Sequence, residues 1–130
     1  MIEIAVLLRR AQLRKQTACE AALAKFEMTL PQWGMLNAAA THPDSSTHAL
    51  ALLTGQSDQA AGSVVTRLEQ RGLVERRNVR GKAILHQATL KGVEILRQCD
   101  RLVAQSMRTA LSGFTDDEVH ALRDLLERLG

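Results

Sequence analysis

Residues 57–82 constrain the fold more than any other stretch of this sequence. Ser57 can cap a helix, and the residues after it have helical character until a glycine ends the run. Residues 73–77 have the composition of a strand, and residues 83–88 can pair with it across a short turn containing Asn78 and Gly81. The stretch therefore predicts a helix, a turn and a β-hairpin, in that order.

Length and composition favour one helical domain. A chain of 130 residues with 45% hydrophobic and 24% charged residues is long enough and apolar enough to bury a core. Aromatic residues make up only 2%, and helix-forming residues dominate. We expect a mainly α fold with a small β-hairpin, a single domain spanning residues 1–130, and an aliphatic core.

The helix predicted over residues 57–71 has two different faces. Val64, Val65 and Leu68 form an apolar face, with Ala61 alongside. The residues largely on the opposite side are slim or polar: Asp58, Gln59, Gly62, Ser63, Thr66 and Arg67. Slim polar side chains suit a helix that enters a DNA major groove and meets base edges. Taken alone, the pattern fits an ordinary amphipathic surface helix better.

The residues before this helix change that preference. A capping box at residues 29–32 starts one helix, and Ser46 can cap a second that stops at Gly55. Ser57 starts the next helix almost at once. Two short helices joined by a tight turn form a helix-turn-helix, which is typical of DNA binding.

Positive charge gathers in the same stretch, although the net charge of the chain is only +3. Residues 57–82 hold three acids and six bases: Arg67, Arg71, Arg76, Arg77, Arg80 and Lys82. A phosphate-binding surface requires such a cluster, and the alternative is a solvated charged face. At the hairpin tip, Arg80 and Lys82 could reach phosphates or a narrow minor groove, or could be incidental surface charges.

Both ends of the chain predict amphipathic helices that need a covering surface. Residues 2 to about 26 form a long first helix that starts with an exposed apolar patch. Residues 89–92 open another long helix, and a capping box at residues 115–118 starts a leucine-rich last one. A second copy of the chain could cover these helices, so we expect a homodimer.

In this order of elements the chain resembles the MarR family of winged-helix transcriptional regulators. The matching segments are LPQW at 30–33, GQSDQ at 55–59, RLEQRGLVER at 67–76 and TLKG at 89–92. The resemblance implies a winged helix-turn-helix lobe over residues 29–89, with dimerisation helices over residues 1–28 and 90–130. It also implies a homodimer that binds a pseudo-palindromic operator in double-stranded DNA, as a repressor released by a small ligand or an oxidant.

By motif position, Ser57 matches the family's helix-capping serine, Arg67 the arginine of its Arg-Leu-Glu segment, and Arg80 or Lys82 the wing arginine. The wing is shorter than in many relatives. Ser63 stands where relatives often have an arginine, so base reading would rest on Gln59, Ser63 and Thr66. Ser45 replaces a usual apolar residue, and we expect its loop to be less anchored.

Other chemistry is weakly supported by the sequence. A ligand pocket could lie between the first, second and fifth helices, lined by Cys19, Trp33 and Cys99. Either cysteine could sense oxidants, but a buried free thiol is the more common role. The scattered histidines predict no metal site and no cofactor, and no catalytic arrangement suggests an enzyme.

The sequence also predicts the location of the protein and the class of its partner. Cysteine spacing shows no disulfide framework, which fits a cytoplasmic protein, and no apolar run predicts a membrane partner. The main alternative to a DNA regulator is a winged-helix module that binds another protein. The polar face of the 57–71 helix argues against this alternative, because protein interfaces favour large aromatic residues and arginine.

Overall fold

The computed structural model describes residues 1–78, 80–81 and 83–130. The prediction of a mainly α fold with a small β-hairpin is confirmed. The elements in chain order are α1 Ile2–Leu23, α2 Leu30–Thr41, β1 Ser45–Ser46, α3 Thr47–Thr54, α4 Asp58–Gln70, β2 Val74–Arg77, β3 Leu85–Ala88, α5 Leu90–Ala110 and α6 Asp116–Leu129. A 3-10 turn, Ala24–Phe26, follows α1.

Side-chain caps set where five of the helices begin. Thr29 and Thr115 each form the expected capping box, with Gln32 and Glu118 as their third-position partners. Single caps begin the other three helices, from Ser46 at α3, Ser57 at α4 and Thr89 at α5. Each cap satisfies a main-chain N–H that has no partner inside its helix. These local signals explain why the predicted helix starts agree with the structure.

Within the described residues, the sheet has three antiparallel strands in the order β1-β3-β2. The hairpin β2–β3 was predicted, but β1 was not. Ser45 pairs with His86 and Ser46 with Leu85, and the Ser45 hydroxyl donates to the His42 carbonyl over 2.7 Å. The expectation that the Ser45 loop is poorly anchored is therefore wrong, because main-chain pairing replaces the missing apolar contact.

The core lies between α1, α2, α3, α4, the sheet and α5. The largest fully buried side chains are Leu23, Met35, Leu36, Leu50, Leu68, Leu73, Cys19 and Cys99. From α4, Ala61, Val65 and Leu68 are buried, which confirms the predicted apolar face, while Val64 is half-buried. Burial of this face fixes which side of α4 is left to solvent.

A close contact joins the hairpin to α5. A Cβ atom added to Gly92 would overlap the carbonyl oxygen of Leu73 and lie 2.9 Å from its carbonyl carbon. Beside it, Thr89 donates its hydroxyl to Gly72 over 2.7 Å and its N–H to Leu73 over 3.0 Å. Only glycine fits at position 92, so the segment 89–92 locks the start of α5 against the base of the hairpin.

The two ends of the chain leave apolar side chains in solvent. In α1, Ile2, Ile4, Val6, Leu7 and Leu8 are exposed. The last helix, α6, buries none of its residues, and Leu125, Leu126 and Leu129 are between 49% and 67% exposed. An amphipathic helix with exposed leucines needs a surface that this single chain does not supply.

Candidate nucleic-acid interface

One solvent-open surface runs along α4, and we name it the α4 face. It is lined by Asp58, Gln59, Gly62, Ser63, Thr66, Arg67 and Gln70. Their spacing follows the helical repeat, so they form one stripe from the first turn to the last. The structure therefore brings together six residues predicted from the sequence. Gln70 was missed, although its spacing from Thr66 and Arg67 could have included it.

The start of α4 is held by Ser57. Its side-chain oxygen accepts the N–H of Ala60 over 3.1 Å, as a capping serine should. Gly62, one turn further on, has no atom within 4 Å of the place where a Cβ would stand. Packing inside this chain therefore does not require a glycine at position 62, and the surface there is open to the approach of another molecule.

Arg67 and the hairpin tip carry the available positive charge. Arg67 is exposed on the α4 face, and Arg80 is exposed next to Gly81, whose φ of +76° makes the tight turn. Neither guanidinium has an ion-pair or side-chain hydrogen-bond partner in the part of the chain that the structure describes. Lys82, the other candidate wing residue, lies outside the described residues.

Arg77 is already occupied at the base of the hairpin. Its guanidinium Nη1 lies 3.1 Å from Asp44 Oδ1 and 3.2 Å from Oδ2. Asp44 adopts a left-handed conformation, with a φ of +58°, just before β1. The pair is about half exposed, so its strength in water is modest. Arg77 therefore ties the hairpin to the α2–β1 connection, and its predicted DNA contact would compete with Asp44.

The structure contradicts the prediction that Arg71 binds phosphate. Its Nη2 donates to the carbonyl of Phe26 over 2.8 Å, and its Nη1 donates to that of Glu27 over 2.9 Å. These carbonyls end the 3-10 turn after α1, where the helix leaves acceptors without partners. A planar guanidinium can satisfy both at once. Arg71 is thus a structural clamp between the end of α4 and the α1–α2 connection.

A buried histidine joins α4 to the sheet. His86 is 3% exposed, and its Nε2 lies 2.9 Å from the Thr47 hydroxyl. Its Nδ1 lies 3.2 Å from Glu69 Oε1, but the alignment is too poor for a hydrogen bond. Burial lowers the pKa of His86 below its usual value of 6.5. Attraction to Glu69 raises the pKa but only partly offsets the effect of burial, and the charge of Arg76 lowers the pKa further. We infer that His86 is neutral in the folded protein at neutral pH.

A second histidine contacts the α4 face itself. His48 Nδ1, on the first turn of α3, lies 2.8 Å from Asp58 Oδ1, on the first turn of α4. Both side chains are 68% exposed. This pair was not predicted from the sequence, because the two residues belong to different helices. The contact spans the turn of the helix-turn-helix and orients the carboxylate at the leading end of the α4 face.

The predicted ligand pocket is only partly present. Trp33 lines an open groove of about 600 Å³ between α1, α2 and α3, which also includes Lys15 and Gln56. Its indole N–H donates to Asp100 Oδ1 of α5 over 2.9 Å. The Trp33 groove opens on the side of α3, whereas a separate groove of about 470 Å³ lies between α1 and α5, with Ala22 and Leu102 among its lining residues.

The two cysteines do not line this groove. Cys19 is 2% exposed and Cys99 is fully buried, and both are packed in the core. Burial raises the pKa of the Cys99 thiol, with a further contribution from the Asp100 carboxylate. A protonated, enclosed thiol is a poor nucleophile. The expectation that Cys19 and Cys99 line a ligand pocket is therefore wrong, since small apolar side chains of this kind fill the core.

The described residues form neither a metal site nor a membrane-spanning helix. No cluster of three or more histidine, cysteine or acidic side chains there could hold a metal ion. Among the same residues, no helix has the length and apolar character needed to cross a membrane.

The chain is similar to known proteins both in sequence and in fold. A family model described as the MarR family matches residues 26–83, which include α2–α4 and β2. A comparison with curated proteins finds no match.

Solved structures resemble almost the whole chain. Wild-type MarR of E. coli is 23% identical with a TM-score of 0.85, and the match covers 96% of this chain and 95% of that one. A MarR family transcriptional regulator of Rhodococcus sp. RHA1 is 23% identical with a TM-score of 0.91, covering 98% and 91%. A MarR family protein of Mycobacterium tuberculosis, in complex with p-aminosalicylic acid, is 25% identical with a TM-score of 0.84, covering 97% of each chain. These similarities show the fold over nearly its full length.

Proposed function

We propose that this chain is a winged-helix transcriptional regulator of the MarR family that binds a specific double-stranded DNA operator as a homodimer and represses transcription from it. The observation that carries the proposal is the α4 face. It is one exposed stripe of mostly slim polar side chains, with Arg67 near its far end, on a helix whose opposite side is buried. Its width and chemistry suit a major groove.

The contacts divide into two kinds. Gln59, Ser63 and Thr66 carry amide and hydroxyl groups that can meet base edges and therefore specify sequence. Arg67 on α4 and Arg80 on the hairpin have guanidinium groups that can bind phosphates and hold the register. The hairpin tip would reach the adjacent minor groove, with Arg80 or Lys82 as the inserted residue.

A homodimer explains the exposed ends of the chain. The apolar starts of α1 and the leucines of α6 would bury each other across a two-fold axis, so residues 1–28 and 90–130 would form the dimer and residues 29–89 the DNA-binding lobe. Such an interface places the same patch of each subunit against the other. The two α4 faces would then read the two halves of a pseudo-palindromic site.

Release from DNA by a small molecule is the form of regulation we favour over oxidation. The Trp33 groove is open and has an aromatic wall and a cation, Lys15, which suits a planar aromatic acid. The similar mycobacterial structure holds p-aminosalicylic acid. Both cysteines are buried, which disfavours an oxidant as the signal. Because the proposed partner is operator DNA, we propose that the protein acts in the cytoplasm.

Selection of bound fragments from random double-stranded DNA tests this function. The purified full chain should enrich an inverted repeat whose half-sites are centred about 10 bp apart, one helical turn, as a two-fold dimer requires. Binding to the enriched site should weaken steeply with salt. Retention of no DNA, or of DNA without any common motif, would contradict the proposal and favour the protein-binding alternative.

A matched pair of variants makes the assignment to α4 specific. Gln59→Ala should weaken binding to the enriched site by about 1–3 kcal/mol and change binding to random DNA little, because it removes a base contact. Gln98→Ala, at a half-buried position on α5 and outside the α4 face, should leave the ratio of the two affinities unchanged. Equal losses on both kinds of DNA for Gln59→Ala would mean that Gln59 does not read bases.

A further inference from the structure

Asp58 is the only acidic side chain among the residues that line the α4 face. It stands on the first turn of α4, at the end of the face that a helix presents most deeply to a groove. The walls of that groove are rows of phosphates, which repel a carboxylate. In a DNA complex, a carboxylate at this position is favoured when it accepts a hydrogen bond from a base.

The bases offer few donors to such a group. In the major groove, guanine presents two acceptors, and thymine an acceptor and a methyl group. Adenine has an amino group, but the N7 acceptor lies beside it and would repel the second carboxylate oxygen. Cytosine presents the N4 amino group without a neighbouring acceptor of its own. The chemistry of Asp58 therefore favours cytosine and disfavours guanine and thymine.

His48 prepares the carboxylate for this contact. Its Nδ1 lies 2.8 Å from Oδ1 of Asp58, and donation from the ring N–H fixes the side chain across the turn between α3 and α4. In the part of the chain that the structure describes, no hydrogen bond or ion pair reaches Oδ2 of Asp58. One oxygen is thus held by the protein and the other is available to a ligand.

We propose that Asp58, positioned by His48, requires a cytosine at one position in each half-site of the operator. This inference rests on the proposed function, since it assigns base specificity to a helix placed in the major groove. Asp58 contacts the base, and His48 is a positioning residue that acts through Asp58. Repulsion from guanine and thymine adds to the selection made by attraction to cytosine.

Parallel selections from random DNA test the inference. The wild-type chain should enrich one invariant cytosine in each half-site, preferred by about 5- to 100-fold over other bases. Asp58→Ala should lose the preference at that position and keep the rest of the motif. Asp58→Asn should also tolerate guanine or thymine there, because the amide adds a donor. Asp116→Ala removes an aspartate from the equivalent first-turn position of α6 and should retain the complete wild-type motif.

Two variants of His48 test its positioning role separately. His48→Ala should weaken the cytosine preference at the same position only, and His48→Gln, which keeps an N–H donor, should restore part of it. A merely structural role would lower affinity for all sequences equally, and that result would overturn the positioning role.

These outcomes distinguish failure of the inference about Asp58 from failure of the proposed function. If Asp58→Ala enriches the unchanged wild-type motif, Asp58 does not select a base and the inference fails while the proposed function stands. If the wild-type chain enriches no motif, the proposed function fails and the inference fails with it.

Discussion

Arg67, on α4, and Arg71, the residue that caps its C-terminal end, lie one helical turn apart but have different roles in the structure. Arg71 donates to the carbonyls of Phe26 and Glu27. Arg67 lies in solvent on the α4 face. Replacing each by alanine should therefore affect different properties: Arg71→Ala should lower stability, and Arg67→Ala should lower DNA affinity.

The expected size for Arg71→Ala follows from its contacts. A hydrogen bond from a charged donor contributes about 1.5–3 kcal/mol net, and two are lost. Because Arg71 is half-buried, water can replace part of this, and we expect a loss of about 2–4 kcal/mol. For a chain of this size that corresponds to a fall in Tm on the order of 10 °C. Arg67→Ala should change stability by no more than about 0.5 kcal/mol, as is usual for an exposed side chain.

Two assays complete the comparison. Thermal unfolding is followed at one fixed protein concentration, because the stability of a dimer depends on it. DNA binding is followed over a range of salt concentrations, where loss of one phosphate contact reduces the slope of log K against log salt by about 0.9. Arg67→Ala should show this reduction and Arg71→Ala should not. An unchanged Tm together with a reduced slope for Arg71→Ala would refute the structural role assigned to it.

Three further changes have expected outcomes. Gly92→Ala should destabilise the fold by about 1–3 kcal/mol or more, because its methyl group overlaps the Leu73 carbonyl. Gly62→Ala, in open space on a helix, should instead stabilise the fold by up to about 1 kcal/mol. Equal Tm values for the two variants in thermal melts would contradict the close contact at Gly92. Burial lowers the pKa of His86, so the unfolded state binds the proton more readily, and the free energy of unfolding should fall as the pH drops below about 6.5. Denaturant titrations should show a weaker fall for His86→Gln. A gain of wild-type stability on acidification would exclude a buried neutral histidine. Arg80→Ala should weaken binding to specific and random DNA alike and reduce the salt slope by about one unit; an unchanged slope in salt titrations would remove Arg80 from the phosphate contacts.

Helix boundaries and the α4 face were predictable from the sequence because their causes are local. A cap at Ser57 acts on an N–H three residues away, and the slim polar stripe repeats with the helical period. The same reasoning located the capping boxes at Thr29 and Thr115. Each signal and its structural consequence lie within a few residues, so no knowledge of the tertiary fold was needed.

The features that sequence reasoning missed depend on residues far apart in the chain. A strand of two serines, β1, has no recognisable periodicity and exists only because β3 pairs with it. Arg71 looked like one more base in a basic cluster, and its partners are 44 and 45 residues away. The contact between His48 and Asp58 depends on the angle between α3 and α4, which neither the composition nor the spacing of the residues specifies.

The most direct test of the central claim, that the α4 face reads the major groove, is methylation interference on the selected operator. Dimethyl sulfate modifies guanine at N7, which lies in the major groove, and adenine at N3, which lies in the minor groove. We expect guanine methylation to block binding in two clusters centred about 10 bp apart, one for each α4 face of a homodimer. Interference confined to adenine N3, or absent from both grooves, would contradict the claim.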